Sequence, residues 1–410
     1  MWLLASCFVF YKYILEFSPG VLKASIVQYF NITSAQIGFF FAVYYIAYAI
    51  MQLPIGLLVD RFGPKKVLVS SLLMCLVGAF MLGSLPASQF GLACVARFVT
   101  GIGAASAIIG CMKLIANWFP ASHFAKMTGF MMTIGMVGAG LSENLIQAVL
   151  SHMHMEWTEL LRQVGYVGLV LGFLYVLFIK DSANQDAKKM VNARDAKAPS
   201  FSRALKKVLS TPQSWLLSLY SGLMFAPVAA FAASWGKAYV HLMDGFSAAQ
   251  STGAVSFVMF GFALGSPFWG WLSDYVGYRK VFLWLATLLS LVSSAIVIYV
   301  PGLSFVSVSV LFLFFGFIIS AFVLSFSMIK EIHSTQFAAT SIGFMNAFNA
   351  ILCAAIVYFI GAVIGWALKS HAASVMQATH TGMLIVLVVL IASAILLCAI
   401  KETHCQQAQD

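Results

Sequence analysis

The chain has 410 residues; 61% of them are hydrophobic, 9% are charged, and the formal net charge is +10. Soluble domains carry about a quarter of their residues as Asp, Glu, Lys and Arg, so this composition excludes a soluble globular protein and indicates an integral membrane protein. The apolar runs are too long for barrel strands, and we therefore predict helices that each need roughly 20 residues to span the hydrocarbon.

Breaks in hydrophobicity predict twelve membrane-spanning helices, and hence an all-α membrane protein. The spans cover residues 3–29, 35–58, 67–86, 89–116, 123–150, 160–179, 213–241, 248–272, 280–299, 302–329, 337–366 and 379–400. One long polar segment divides them six and six. This predicts an N-terminal six-helix bundle at 1–180, a cytoplasmic linker at 181–212 with a short amphipathic helix near 201–209, and a C-terminal six-helix bundle at 213–410.

The basic residues of the loops fall almost entirely on one side of the predicted membrane. Sixteen Lys and Arg residues occupy one set of alternating loops and tails, and two occupy the opposite set. Because cytoplasmic loops retain positive charge, both termini and the linker are predicted to be cytoplasmic. Topology explains the net charge, which argues against nucleic acid as a partner. The linker bases either contact anionic membrane lipid or are simply solvated.

The loop GLLVDRFGPKK at 56–66 returns in altered form as GWLSDYVGYRK at 270–280, 214 residues later. The two copies share Gly56 with Gly270, Asp60 with Asp274, Gly63 with Gly277 and Lys66 with Lys280. Six predicted helices separate the copies, so both halves enter the membrane in the same direction. Such a parallel repeat predicts two bundles related by a pseudo-twofold axis along the membrane normal, with a cavity near the midplane.

These features together resemble the major facilitator superfamily. The first loop fits that family's signature between helices two and three, and the second is a degenerate copy with Tyr275 where an Arg is expected. The segment ARFVTGIGAA at 96–105 is similar to the family's helix-four signature. The resemblance covers nearly the whole chain and implies the major facilitator fold.

The resemblance also implies that the signature loops form a cytoplasmic latch. Glycines allow close packing and a tight turn, and Asp60 can accept hydrogen bonds from helix-end amides or from an arginine. The gate residues assigned in this way are Gly56, Asp60, Arg61, Gly63, Lys66, Asp274, Gly277 and Lys280. The alternative is that these charges only stop translocation and orient the helices.

Seven charged residues are predicted to be embedded in the membrane, where a Lys, Arg or Asp at the bilayer centre costs about 2.5 to 3.5 kcal/mol. They are Lys12, Glu16, Lys23, Arg97, Lys113, Glu143 and Lys237. Lys12 and Glu16 are four residues apart, so they lie on one helix face and can neutralise each other near the bilayer middle. They form either a structural pair or part of a binding site. Tyr44 and Tyr48 either line the same cavity or pack as core residues.

Arg97 in helix four and Glu143 in helix five are predicted to face the cavity. Arg97 then pairs with Glu143 or with a substrate anion; the alternative is a structural arginine that holds the backbone of a neighbouring helix. Glu143 is a candidate proton carrier, because a buried carboxyl group beside an arginine can couple binding to protonation. Lys113, near the cytoplasmic end of helix four, is expected to snorkel to the interface.

Lys23 and Lys237 occupy equivalent places near the outer ends of helices one and seven. They either snorkel to the interface or form a positive outer vestibule that attracts anions. Asn346 and Asn349 in helix eleven are predicted to offer neutral hydrogen bonds to a substrate, with interhelical bonding as the alternative.

The remaining motifs indicate neither an enzyme nor a metal or cofactor site. His152 and His154 have nothing nearby in sequence to complete a metal coordination shell. HExxH, GxSxG and nucleotide-binding glycine loops are missing from the sequence. The seven cysteines have no paired spacing and are interpreted as small core residues.

The sequence therefore predicts a secondary transporter that moves a small polar solute by alternating access, with protons as the coupling ion. YKYILEFSPG in helix one and WFPASHFAKMTGF are similar to the bacterial sugar-phosphate and organic-anion permease branch. The excess of embedded cations favours an anionic substrate. Two alternatives are a carrier of zwitterions or dipeptides and a transporter-like sensor that binds solute without turnover. We expect a monomer, surrounded by lipid, in a bacterial inner membrane.

Overall fold

A computed structural model describes residues 1–153, 155–181, 201–300, 302–369 and 374–407. These residues form a chain of α-helices joined by short loops. In chain order the helices are α1 (Trp2–Val21), α2 (Lys23–Phe30), α3 (Ser34–Phe62), α4 (Pro64–Leu82), α5 (Phe90–Ala104), α6 (Ser106–Trp118), α7 (Phe124–Met153), α8 (Trp157–Phe178), α9 (Phe201–Leu209), α10 (Pro212–Val228), α11 (Gly236–Asp244), α12 (Ala248–Val276), α13 (Lys280–Tyr299), α14 (Phe305–Ile319), α15 (Leu324–Glu331), α16 (Ala338–Lys369) and α17 (Val375–Ala399).

Each of the twelve predicted spans corresponds to one of these helices or to two consecutive ones, which confirms the all-α fold class. Within the described residues, eleven spans are long and apolar enough to cross a membrane. The remaining predicted span is α1 with α2, which carries Lys12, Glu16 and Lys23. The predicted short helix of the linker is present as α9.

Four predicted spans are interrupted, and they are the first, fourth, seventh and tenth. The first breaks at Leu22 between α1 and α2, and the fourth breaks at Ala105 between α5 and α6. A π-helix, Ala229–Ser234, separates α10 from α11, and a 3-10 turn, Ser320–Val323, separates α14 from α15. The interruptions place irregular backbone inside otherwise continuous apolar segments, a feature that hydropathy alone does not reveal.

The internal repeat is visible in the helix ends as well as in the loops. Thr33 starts α3 with a capping box to Gln36, and Ser247, 214 residues later, starts α12 with a capping box to Gln250. Gly63 and Gly277, the next pair at this offset, both have positive φ, at 83° and 80°. Positive φ favours glycine, so the turn after each of these two long helices accounts for the glycine present in both loops.

Gly56 and Gly270 permit two equivalent close helix contacts. A methyl group at Gly56 would lie 2.5 Å from the carbonyl oxygen of Ala339, and one at Gly270 would lie 2.5 Å from that of Ala125. Both carbonyls belong to the first turns of long helices, α16 and α7. The glycines therefore bring the C-terminal ends of α3 and α12 close enough for the side chains one turn further on to reach those helix starts.

The chain groups into two compact units. The first comprises Met1–Phe119, Ile134–Leu205 and Gln336–Gly343, and the second comprises Pro120–Thr133, Lys206–Thr335 and Phe344–Asp410. Each unit thus includes the first turns of a long helix, α16 or α7, whose remainder belongs to the other unit. The domain boundaries predicted at 180 and 212 stay predictions, because residues 182–200 lie outside the described part of the chain.

Candidate functional site

The carboxylate of Asp60, at the end of α3, binds the start of α16. It accepts hydrogen bonds from the backbone N–H of Thr340 at 2.7 Å, from the Thr340 hydroxyl at 2.7 Å and from the backbone N–H of Ala339 at 3.2 Å. The Nζ of Lys113 donates to the same carboxylate at 2.6 Å. At a helix N-terminus, a carboxylate accepts hydrogen bonds from unpaired N–H groups and is attracted by the positive end of the helix dipole.

Three features of this first loop differ in how well the sequence anticipated them. The amide contacts of Asp60 are those expected of it. Lys113 pairs with Asp60 and is largely buried, whereas we expected its ammonium group to reach the interface. Arg61 and Lys66 are exposed, and Arg61 lies over the ring of Phe62, 5.3 Å from the centroid. Among the charged side chains of this loop, Asp60 alone is thus seen to bind α16.

In the second loop, Asp274 makes the equivalent contact. Its carboxylate accepts the backbone N–H of Lys126, in the first turn of α7, at 3.0 Å. The fully buried guanidinium of Arg279 donates to Asp274 at 2.7 Å and to Glu331 at 2.8 Å. Burial by itself would lower the pKa of Arg279, but the carboxylates of Glu331 and Asp274 raise it above its ordinary value. The cation therefore stays charged at any physiological pH.

Arg279 and Glu331 were not predicted from the sequence as site residues. One signal was available: Arg279 falls 214 residues after Lys65, within the same repeat. Glu331 gave no such signal, because its contact with Arg279 joins residues 52 positions apart.

Two acidic residues that follow the sixth and twelfth spans accept hydrogen bonds from backbone N–H groups at the ends of the signature loops. Asp181 accepts the backbone N–H of Lys65 at 2.7 Å, at the start of α4. Glu402 accepts the backbone N–H groups of Arg279 and Lys280 at 2.9 and 2.7 Å, at the start of α13. Burial would raise the pKa of Glu402, but these hydrogen bonds hold it below its ordinary value. Both acids therefore act as N-terminal caps of the helix that follows a signature loop.

Within the membrane-spanning part of the first unit, Lys12 and Glu16 form an ion pair on one face of α1. The ammonium group of Lys12 lies over the ring of Tyr13, 3.9 Å from its centroid, and 5.0 Å from that of Tyr48. Lys12 is buried. A buried ammonium group with one carboxylate and aromatic faces around it is stabilised electrostatically on several sides.

Arg97 reaches the same helix from α5. Its Nη1 donates to the carbonyl oxygen of Leu15 at 2.9 Å, and its guanidinium lies over the ring of Tyr44, 4.6 Å from the centroid. Pro19 is inside α1 and has no N–H, so the carbonyl of Leu15, four residues earlier, has lost its helical donor. Arg97 supplies a replacement donor, and the hydroxyl of Ser18 also donates to this carbonyl, at 3.3 Å. This contact matches the structural alternative considered for Arg97.

Together, α1, α3 and α5 bring five predicted site residues into one place, which we call the α1–α3–α5 cluster. Its members are Lys12, Glu16, Tyr44, Tyr48 and Arg97. Tyr44 stacks on Tyr48, with ring centroids 6.3 Å apart. The hydroxyl of Tyr44 and the Nε of Arg97 are buried without a hydrogen-bond partner among the described residues. Both groups are therefore available to donate a hydrogen bond to a ligand that reaches the cluster.

The other predicted residues belong to different helices. The side chain of Glu143 lies outside the described residues, so its pairing with Arg97 stays a prediction. Asn346 and Asn349 are buried in α16, in the part that belongs to the second unit, and the Oδ1 of Asn349 has no partner among the described residues. Lys23 and Lys237 are exposed, at the starts of α2 and α11.

The histidine pair of the outer loop is only partly visible. His152 is exposed, and His154 lies outside the described part. Within the residues that the structure describes, no group of three or more His, Cys, Asp and Glu side chains is arranged to hold a metal ion.

The helical architecture, the paired signature loops and the family comparison agree. The chain belongs to the Major Facilitator Superfamily, whose profile matches residues 2–357. The resemblance derived from the sequence is thereby confirmed. This is a family of transporters and not of enzymes.

Individual relatives are distant. A probable sulfoacetate transporter of Cupriavidus necator is 27% identical over 44% of this chain and 41% of its own length. A probable galactarate/D-glucarate transporter of Escherichia coli is 25% identical over 67% of this chain and 66% of its own. A lysosomal dipeptide transporter of Danio rerio is 24% identical over 71% and 65%, respectively. The matched regions therefore span less than two thirds of each relative.

Solved structures show the same fold at lower identity. The proton:xylose symporter XylE superposes with a TM-score of 0.78 at 14% identity, over 99% of this chain and 96% of that one. The transporter FucP in its outward conformation gives a TM-score of 0.70 at 18% identity, over 96% and 98%. The chain accordingly has the major facilitator fold along nearly its full length.

Proposed function

We propose that this protein is a secondary transporter that carries a small organic anion across the membrane by alternating access, in symport with protons. The observation that carries the proposal is the α1–α3–α5 cluster. It holds two buried cations, Lys12 and Arg97, against one described acid, Glu16. Burying unpaired positive charge is costly, and an anionic ligand that reaches this cluster would compensate for it.

Two atoms of the cluster supply the specific hydrogen bonds. The hydroxyl of Tyr44 and the Nε of Arg97 are donors with no protein acceptor among the described residues. A carboxylate, sulfonate or phosphate oxygen accepts from both kinds of donor. This chemistry agrees with the relatives, whose names specify sulfoacetate and galactarate or glucarate.

The ion pair supports the proposed proton coupling. While Glu16 is ionised it neutralises Lys12, and when Glu16 is protonated the ammonium group is released for a substrate anion. Substrate and proton then bind together, which is the requirement for symport. Glu143 remains the second proposed proton carrier.

The signature loops supply the proposed gate. Asp60 holds the first turn of α16 and Asp274 holds that of α7. We propose that opening of this gate releases those N–H groups from both carboxylates. We also propose that both signature loops and both termini face the cytoplasm, as the distribution of loop charges predicts, and that the protein acts as a monomer in the plasma membrane.

The test is uptake of radiolabelled sulfoacetate and galactarate into proteoliposomes under an inward proton gradient. Tyr44→Phe removes only the hydroxyl that lacks a protein partner. We expect the KM to rise tenfold or more, because a hydrogen bond to a charged group is worth about 1.5 to 3 kcal/mol, with no loss of thermal stability.

Tyr175→Phe is the matched control. Its hydroxyl donates to the backbone carbonyls of Leu4 and Ala5 at 3.0 and 2.9 Å, so this variant should lose stability and keep its KM. Unchanged uptake by Tyr44→Phe, together with unchanged uptake by folded Lys12→Ala, would refute the assignment of the site.

One observation supports a second candidate, a carrier of zwitterions such as dipeptides. Lys12 and Glu16 could bind the carboxylate and the amine of one substrate, and a lysosomal dipeptide transporter is among the relatives. Competition by neutral dipeptides but not by dicarboxylates would favour this candidate. Ligand-dependent stabilisation without any flux would instead favour a sensor.

A further inference from the structure

Three lysines at one end of the second unit are exposed and form no ion pair with an acidic side chain that the structure describes. Lys206 and Lys207 lie in the last turn of α9, and Lys401 follows the end of α17; all three are exposed. None of the ion pairs among the described residues involves them. We call Lys206, Lys207 and Lys401 the α9 basic patch.

Hydrogen bonds fix these lysines around the start of α10. The amide of Gln213 donates to the carbonyl of Ala399 at 3.0 Å and accepts the backbone N–H of Lys401 at 3.1 Å. The hydroxyl of Thr211 donates to the carbonyl of Lys207 at 2.9 Å. The C-terminal tail is thus bound to Gln213 and the last turn of α9 is bound to Thr211, so both are held at the start of α10.

Two acidic groups that the structure describes near the tail are engaged elsewhere. Glu402, next to Lys401, accepts the N–H groups at the start of α13, and Glu331 is bound to Arg279. The ammonium groups of the three exposed lysines therefore remain accessible to a ligand.

Neighbouring side chains place the patch at the level of the lipid headgroups. Trp215, partly exposed in the first turn of α10, donates its indole N–H to the carbonyl of Leu209 at 2.8 Å. Tryptophan is enriched at membrane interfaces, with its ring in the apolar region and its N–H toward the polar region. Leu209 is exposed beside the lysines while Val208 is buried against the protein, so α9 presents an apolar and a basic side chain together. That combination is typical of interfacial helices.

We infer that the α9 basic patch binds the phosphate headgroup of an anionic phospholipid in the cytoplasmic leaflet. The side of the membrane rests on the topology proposed above. Basic residues close to an anionic membrane surface contribute about a fivefold gain in affinity each, so the three lysines together give on the order of a hundredfold. The attraction weakens within a Debye length of about 10 Å at 0.1 M salt, and it is lost at high salt.

The experiment compares the purified protein in nanodiscs of phosphatidylcholine alone and of phosphatidylcholine with phosphatidylglycerol. Native mass spectrometry counts retained lipids, and thermal unfolding measures stabilisation. We expect retained phosphatidylglycerol and a higher melting temperature in the anionic nanodiscs. The triple variant Lys206→Gln, Lys207→Gln, Lys401→Gln should lose both, whereas replacement of the three by Arg should retain them.

The matched control removes three basic residues predicted to lie on the opposite face, by Lys23→Gln, Arg162→Gln and Lys237→Gln, and it should behave as the wild type. Equal loss in the control would show a general effect of charge and overturn the inference. Retention of phosphatidylglycerol by the α9 triple variant would overturn it as well. Stabilisation by inorganic phosphate or glycerol phosphate in neutral nanodiscs would show that a soluble phosphate, not a lipid, is the ligand.

Discussion

Replacing Asp60 with Asn tests the contact that joins α3 to the start of α16. The amide has nearly the shape of the carboxylate, so packing beside Gly56 is retained. The negative charge that meets Lys113 and the N–H groups of Ala339 and Thr340 is lost. The substitution therefore isolates the electrostatic part of the contact.

The expected cost can be estimated from the structure. The side chains of Asp60 and Lys113 are 9% and 11% exposed, and removing one partner of a buried ion pair costs about 3 to 5 kcal/mol. The helix start keeps part of its hydrogen bonding through the amide oxygen. We expect a loss of roughly 3 kcal/mol and a melting temperature several degrees lower.

Hydrogen exchange followed by mass spectrometry localises the effect. Peptides covering residues 336–343 should exchange faster in Asp60→Asn, while peptides from the interior of α4 should not change. Arg61→Gln is the control, because Arg61 is exposed and makes no contact with α16 that the structure describes. Unaltered exchange at 336–343 in Asp60→Asn, with an unaltered melting temperature, would refute the proposed latch.

Three further predictions concern pH, the tail and α1. Burial and the nearby charge of Lys207 lower the pKa of His333 to about 4 from 6.5. As the pH falls, the imidazole of His333 is protonated in the unfolded chain before it is protonated in the folded one. The free energy of unfolding therefore has its full value above pH 6.5 and falls by up to roughly 3 kcal/mol between pH 6.5 and 4. Melting temperatures of His333→Gln should lack this pH dependence. Glu402→Gln should lower the melting temperature by removing about 1 kcal/mol of helix capping, and an unchanged value would exclude a capping role. Pro19→Ala restores an N–H that can donate to the carbonyl of Leu15. Arg97→Leu should therefore destabilise the Pro19→Ala protein less than it destabilises the wild type. A double-mutant cycle of melting temperatures measures the difference.

The spans and the signature loops could be predicted from the sequence because both depend on local pattern. Hydrophobic runs set the spans, and the spacing of glycine and acid sets the turns. The interruptions of the first, fourth, seventh and tenth spans could not be predicted. Pro19 and Pro227 mark two of these spans, but Ala105 and Ser320 are residues common within helices, so the sequence gives no local sign of the other two interruptions.

The candidate site was predicted in part, for a similar reason. The Lys12 and Glu16 pair follows from helical spacing, and the amide contacts of Asp60 follow from the chemistry of a carboxylate near helix ends. Lys113 was assigned to the interface because its partner is 53 residues away in the chain. Sequence spacing carries no information about such distant pairs. The sequence therefore does not distinguish a lysine in a buried ion pair from one that snorkels to the interface.

The caps supplied by Asp181 and Glu402 bear on the ancestry of the chain. Lys180-Asp181 and Lys401-Glu402 are equivalent pairs, 221 residues apart, and each acid binds the start of the third span of its own half. The simplest history is that a six-span ancestor already ended in such an acid before its gene was doubled. On that history the capping acid stabilised a single six-span half. It then arose before the two halves took on different functions.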